Sequence, residues 1–175
     1  MKKIVLYFSI LSFSLTYGQN LFDKYEDMDG VTSIIATEDM FEMLSSIEPE
    51  GNEAKEEMSL LKDLTGLKVF STEKAELKQQ FVKDFNAYVQ QNQMKELLRI
   101  NDDKANVKFY VIKGNKPYLA KELVMILTGK NDNKDIVIMD ITGNIDLRKL
   151  SKLNKKVKVV DKKYFEEVEK SINNN

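Results

Sequence analysis

Two spacings of apolar residues alternate along this chain. Residues 31–36 read as a short strand. Behind them Met40, Met43, Leu44 and Ile47, with Phe41 adjacent, recur at helical spacing after Thr37, a residue suited to cap a helix whose first turn carries Glu38 and Asp39. Residues 48–55, with Pro49 and Gly51, predict a loop, and 56–64 a short second helix that Gly66 ends. Leu67, Val69 and Phe70 then predict a brief strand, and Ser71 or Thr72 a cap for the most regular helix of the protein. Its stripe is Leu77, Phe81, Phe85, Tyr88 and Val89, with Lys74, Lys78, Lys83 and Asp84 elsewhere around the axis.

After Gln93 the period falls from 3.6 to 2. Leu98 and Ile100 alternate with Leu97 and Arg99, and Val107, Phe109 and Val111 alternate with Lys108 and Tyr110. Residues 123–127 and 136–139 are apolar without alternation, the pattern of strands covered on both faces by their own chain, or on one face by another chain. Short, turn-rich connections imply antiparallel neighbours, so residues 94–142 predict a four-stranded meander. Gly143 and Asn144 are expected to end it, Asp146 to cap a helix over 147–153, and Phe165, Val168 and Ile172 to mark one more amphipathic helix in an otherwise mobile C-terminal tail. The expected class is α+β: a largely antiparallel sheet of four to six strands with two or three amphipathic helices packed on it.

The N-terminus does not belong to that fold. Lys2 and Lys3 precede an apolar run of about a dozen residues over 4–15, too short for the ~20 residues that cross a bilayer. Thr16 and Gly18 then offer small residues at the positions that precede a cut. Residues 1–18 are therefore expected to be a signal peptide, and 19–175 a single exported domain, periplasmic or secreted and not transmembrane once cut.

Composition removes much chemistry. With no Cys and no His, the chain supplies no thiol nucleophile, no Ser/His/Asp triad, no thiolate or imidazole zinc site and no disulfide. Charge is nearly balanced overall, at −1, but polarised: residues 19–66 hold thirteen acids and three bases, a net of −10, and 67–175 hold fifteen acids and twenty-two bases, a net of +7. The acids are densest at Glu48, Glu50, Glu53, Glu56 and Glu57. The bases Arg148, Lys149, Lys152, Lys155, Lys156 and Lys158 are the candidate contact for an anionic partner, whether lipid, glycan or a protein's acidic patch. No nucleic-acid motif accompanies that charge, and no cofactor is expected. Asp27-Met28-Asp29-Gly30 resembles half of a calcium loop but lacks the acids at its first and twelfth positions, so it reads as a turn. The glutamate-rich loop has no spacing that specifies a metal.

The opening Phe22-Asp23-Lys24-Tyr25, the following Asp29-Gly30-Val31-Thr32, and the closing Gly143-Asn144-Ile145-Asp146-Leu147 ahead of Ser151-Lys152-Leu153 resemble the domain of unknown function 4252 family of exported Gram-negative envelope proteins. That resemblance implies a small secreted or periplasmic domain with no established activity and no catalytic residues to carry over. It also implies relatives with a lipoprotein Cys after the signal, which this chain lacks. The expected function is a non-catalytic binding or accessory module. It would contact another envelope protein or component through the exposed side of the meander or the basic segment. The alternatives are a glycan hydrolase built on two carboxylates and a peripheral binder of anionic lipid.

Overall fold

The computed structural model describes residues 20–46, 51, 58–130, 135–150 and 161–173. Six antiparallel strands form one sheet: β1 (Thr32–Thr37), β2 (Leu64–Thr72), β3 (Lys95–Asn101), β4 (Ala105–Lys113), β5 (Leu119–Gly129) and β6 (Ile136–Asp146), in the spatial order β1-β2-β6-β5-β4-β3. Three α-helices lie with both ends among the described residues: α1 (Glu38–Ser45), α2 (Ala75–Gln91) and α3 (Lys162–Asn173). Single 3-10 turns lie at Asp23–Tyr25 and Leu147–Lys149. The class is α+β.

The last four strands are the expected meander, because each is joined to the next by a connection too short for a parallel return. β2 pairs with β6, which leaves β1 and β3 as the two edges. The chain between β2 and β3 must pass four strand spacings, about 19 Å at ~4.8 Å each. The seventeen residues of α2, about 25 Å of helix at 1.5 Å each, span that distance across one face.

The two runs apolar on both faces are the central strands β5 and β6, and their cover comes from the same chain. One face meets α2 and the N-terminal segment: Phe22, Tyr25, Phe81, Phe85 and Tyr88 pack on Phe70, Val124, Ile126, Ile136 and Ile138. The other meets α1, the second 3-10 turn and α3: Phe41, Leu147, Leu150, Tyr164, Phe165 and Val168 pack on Leu67, Val69, Phe109, Leu123, Met125 and Met139. The meander therefore has no bare side of the kind expected from the sequence. The tail expected to be mobile is fastened through α3, whose Tyr164, Phe165 and Val168 are buried.

Several boundaries move. Gly66 does not stop an element; it lies inside β2, opposite Thr37 and Thr142, where a Cβ would stand 2.7 Å from Thr142 Oγ1. Close strand approach explains a glycine there. β2 runs on through Thr72, so α2 starts later, behind Lys74, and Thr72 Oγ1 accepts from Lys74 N at 3.1 Å as a turn residue outside the helix. Gly143 and Asn144 do not end β6, which continues to Asp146. Gly143 takes φ +135°, and a Cβ there would collide with Asp63 O, beside an irregular register with β2. Of the helix expected over 56–64, residues 58–61 are helical and Leu64 already opens β2. Residues 147–149 form a 3-10 turn, and 151–153 lie outside the described residues.

Candidate functional site

The sequence-predicted basic site is only partly described. Arg148 is engaged within the fold: it donates from Nε and Nη2 to Asp146 Oδ1 and Oδ2 at 2.9 and 2.7 Å, and its guanidinium lies 3.7 Å from the centre of the Tyr118 ring. That pairing holds the Asp146 carboxyl below its ordinary value despite partial burial. Lys149 is half-buried beside Leu60, Leu64, Ile145 and Leu150. Lys152, Lys155, Lys156 and Lys158 lie outside the described residues, as does the acidic stretch around Glu48–57 apart from Gly51. Among the described residues no group of three or more His, Cys, Asp or Glu side chains is placed to hold a metal ion.

A buried polar constellation that sequence reasoning missed lies between α2 and the sheet. Phe22 and Tyr25, three residues apart on one 3-10 turn, enter an aromatic layer with Phe22–Tyr88 centroids at 4.6 Å and Tyr25–Phe81 at 4.2 Å. The Tyr25 hydroxyl donates to Asp84 Oδ2 at 2.5 Å. Lys24 Nζ reaches the same oxygen at 2.5 Å, and Gln80 Nε2 donates to Oδ1 at 2.7 Å. Burial opposes the charge on Asp84, yet the bonds from Lys24, Tyr25 and Gln80 outweigh it and hold the carboxyl below its usual range.

The second carboxylate is Asp140 of β6, which faces α2 and is 3% exposed. Asn20 Nδ2 donates to its Oδ2 at 2.6 Å, while its buried Oδ1 has no hydrogen-bond partner among the described residues. Burial first, then the Glu122 charge, push its carboxyl up to about 7, and the Asn20 bond and the Lys68 ammonium offset only part of that. Glu122 is itself raised by burial, against the hydrogen bond that the Tyr88 hydroxyl donates to it at 2.7 Å. Lys68, beside Asp140 across the β2–β6 pair, spends its ammonium on Asp23 Oδ1 at 2.5 Å and Glu26 Oε1 at 2.8 Å. Such an arrangement can exchange a proton near neutrality and hold a positive group.

Asp84 was legible. It falls at the i+3 position from Phe81 and i−4 from Tyr88, on the helical face that the aromatic stripe already marked for burial. Asp140 carried a weaker signal, a lone acid in the run Ile136-Val137-Ile138-Met139-Asp140-Ile141.

A different surface lies at the β1 edge. Ile34 and Ile35 are 47% and 39% exposed, on opposite faces of the strand. The α1 stripe is not the expected Met40-Met43-Leu44 face: Phe41 turns inwards, and Met40 and Met43 are 47% and 72% exposed. Thr37 precedes α1 in extended conformation but makes no side-chain cap. At the start of β1, an open depression of about 330 Å³ is walled by Thr32, Thr72, Glu73, Lys74 and Asp135. The half-calcium motif at Asp27 and Asp29 is the turn feeding this strand, with Val31 N bonded to Met28 O at 3.0 Å.

A family model described as "Domain of unknown function (DUF4252)" matches residues 25–153. No curated protein and no solved structure matches the chain significantly. No helix among the described residues is long and apolar enough to cross a membrane.

Proposed function

We propose, since the chain belongs to the DUF4252 family and that family's description names no activity, that it works after export as a non-catalytic binding module that accepts a partner's extended strand along β1. The observation that carries this reading is the asymmetry of the two sheet edges. β3 has Lys95, Glu96 and Arg99 along seven residues and a register break between Glu96 and Leu98, the devices by which edge strands resist pairing. β1, Thr-Ser-Ile-Ile-Ala-Thr, has no charge, keeps an unbroken register with β2 and shows Ile34 and Ile35 to either side. An added strand gains main-chain hydrogen bonds from such an edge and side-chain contacts from the isoleucines and from Met40 and Met43 of α1. Glu38, Asp39 and Glu42 on α1 favour a partner strand flanked by basic residues.

The test is site-specific photocrosslinking in intact cells, with the reactive residue at Ile35 on β1 or at Arg99 on β3. A discrete adduct from position 35, lost when Ile34→Lys is added and not formed from position 99, is the expected result. Equal labelling at both positions removes the reading.

A further inference from the structure

The chain has eight methionines, and the fold sorts those it describes by exposure. Met94, Met125 and Met139 are buried, and Met28 and Met58 are half-buried. Met40 and Met43 are 47% and 72% exposed, three residues apart on α1, so their thioethers lie along one side of that helix while Phe41 turns inwards. α1 begins at Glu38, directly after Thr37 ends β1, and lies against β1 and β2. The two exposed sulfurs therefore stand beside the free edge of the sheet, with Ile34 as their exposed apolar neighbour on the strand.

A thioether differs from an isoleucine in one respect: its sulfur can take an oxygen atom from hydrogen peroxide. A sulfur lone pair attacks one peroxide oxygen, the O–O bond breaks and an S–O bond forms. Sulfur is oxidised by two electrons, the peroxide is reduced, and water leaves with both peroxide protons. The sulfoxide is polar and a hydrogen-bond acceptor. Its neighbours on α1 are Glu38, Asp39 and Glu42, whose carboxylates accept rather than donate, so they cannot answer the new oxygen once a partner excludes water from it.

We propose that Met40 and Met43 are an oxidation site that switches the β1 edge: as thioethers they give a partner's strand apolar contact, and as sulfoxides they withdraw it. The switch rests on the strand-docking reading of β1, and the two fail separately: crosslinking in untreated cells reports the docking, whereas the free protein reports the oxidation. The chain has no Cys with which to reduce a sulfoxide, so the edge is restored by thiol-dependent reduction of methionine sulfoxide on a second protein.

The experiment first treats the purified protein with hydrogen peroxide and follows each methionine by peptide mass spectrometry. Met40 and Met43 should gain oxygen at least about tenfold faster than Met94, Met125 and Met139, which peroxide reaches only when the fold opens. The doubly oxidised chain should unfold in urea with an equilibrium constant within about threefold of the parent's, because neither side chain belongs to the core. Photocrosslinking from position 35 in intact cells then reads the consequence. A peroxide pulse should lower the adduct at least about fivefold. Met40→Leu with Met43→Leu, which keeps the apolar volume and takes no oxygen, should retain the adduct under the same pulse, and Met40→Gln with Met43→Gln should lose it without peroxide. No adduct in untreated cells removes the docking reading and the switch with it. Equal oxidation of exposed and buried methionines, a fold loosened by oxidation of these two, an adduct unaffected when both are oxidised, or an adduct that the leucine pair fails to protect overturns the inference.

Discussion

The two faces of the sheet are built on different principles. On the α3 side the contact is made of aliphatic chains with Phe41, Phe109, Tyr164 and Phe165, and neither of the buried carboxylates among the described residues lies there. On the α2 side aromatic rings surround two buried carboxylates, Asp84 and Asp140. The first face buries no charged side chain; its charged fastening is at the rim, where Lys163 Nζ and the Tyr164 hydroxyl of α3 donate to Asp102 Oδ2 at 2.6 and 3.1 Å and hold that carboxyl well below its usual range, so it stays ionised from pH 5 to pH 8. The second depends on partners: Asp84 has three and is charged, whereas Asp140 has one and is poised near neutrality. A carboxylate in the interior is thus defined by its donors more than by its depth.

Phe165→Ala should test the first face most severely. The ring is 1% exposed and meets Phe109 edge-on at 5.9 Å, so its loss should cost about 3–5 kcal/mol of unfolding free energy in urea. The loss should be the same at pH 5 and pH 8; a strong pH dependence would mean that the two faces are not separable.

Asp140→Asn should change the shape of the pH profile more than its height. The native carboxyl titrates near 7 and the unfolded one near 4, so between those values the native state binds more protons and stability falls as pH rises. Above 7 the penalty is complete. The asparagine variant should lack this fall, a difference on the order of 2–4 kcal/mol between pH 4 and 8. Parallel profiles for variant and parent would place the native carboxyl at its ordinary value.

Tyr25→Phe is the mildest probe. It removes one of three donors from the ionised Asp84 and leaves the ring's packing on Phe70 and Phe81 in place, so about 1.5–3 kcal/mol should be lost. Because the folded Asp84 carboxyl lies below its ordinary value, its contribution is present above pH ~4 and disappears as pH falls through the depressed native value. An unchanged midpoint at pH 7 would show that Lys24 and Gln80 suffice.

Much of this architecture was legible. Runs without alternation at 123–127 and 136–139 pointed to central strands, and Phe81, Phe85 and Tyr88 gave the inner face of α2, because burial on both sides or on one stripe leaves a local trace. What escaped was non-local. Nothing near Gly66 announces that Thr142 will approach its Cα. Arg148 looked available for an anion because its consumption depends on Tyr118, thirty residues earlier, as well as on the adjacent Asp146. Which strand forms an edge follows only from the β2–β6 pairing, so the difference between β1 and β3 could not be weighed from the sequence.

That pairing also sets an order of assembly. β2 zips onto β6 between residues 64 to 79 positions apart, from Thr72 with Ile136 to Leu64 with Gly143. A chain delivered N-terminus first must therefore hold β1, β2 and α2 in waiting until the last strand of the meander has emerged. Contacts so distant in sequence form late and slowly, and a strand left open during that interval is exposed to misassembly. The interval between synthesis and closure of the sheet is when its strands stand longest without their neighbours.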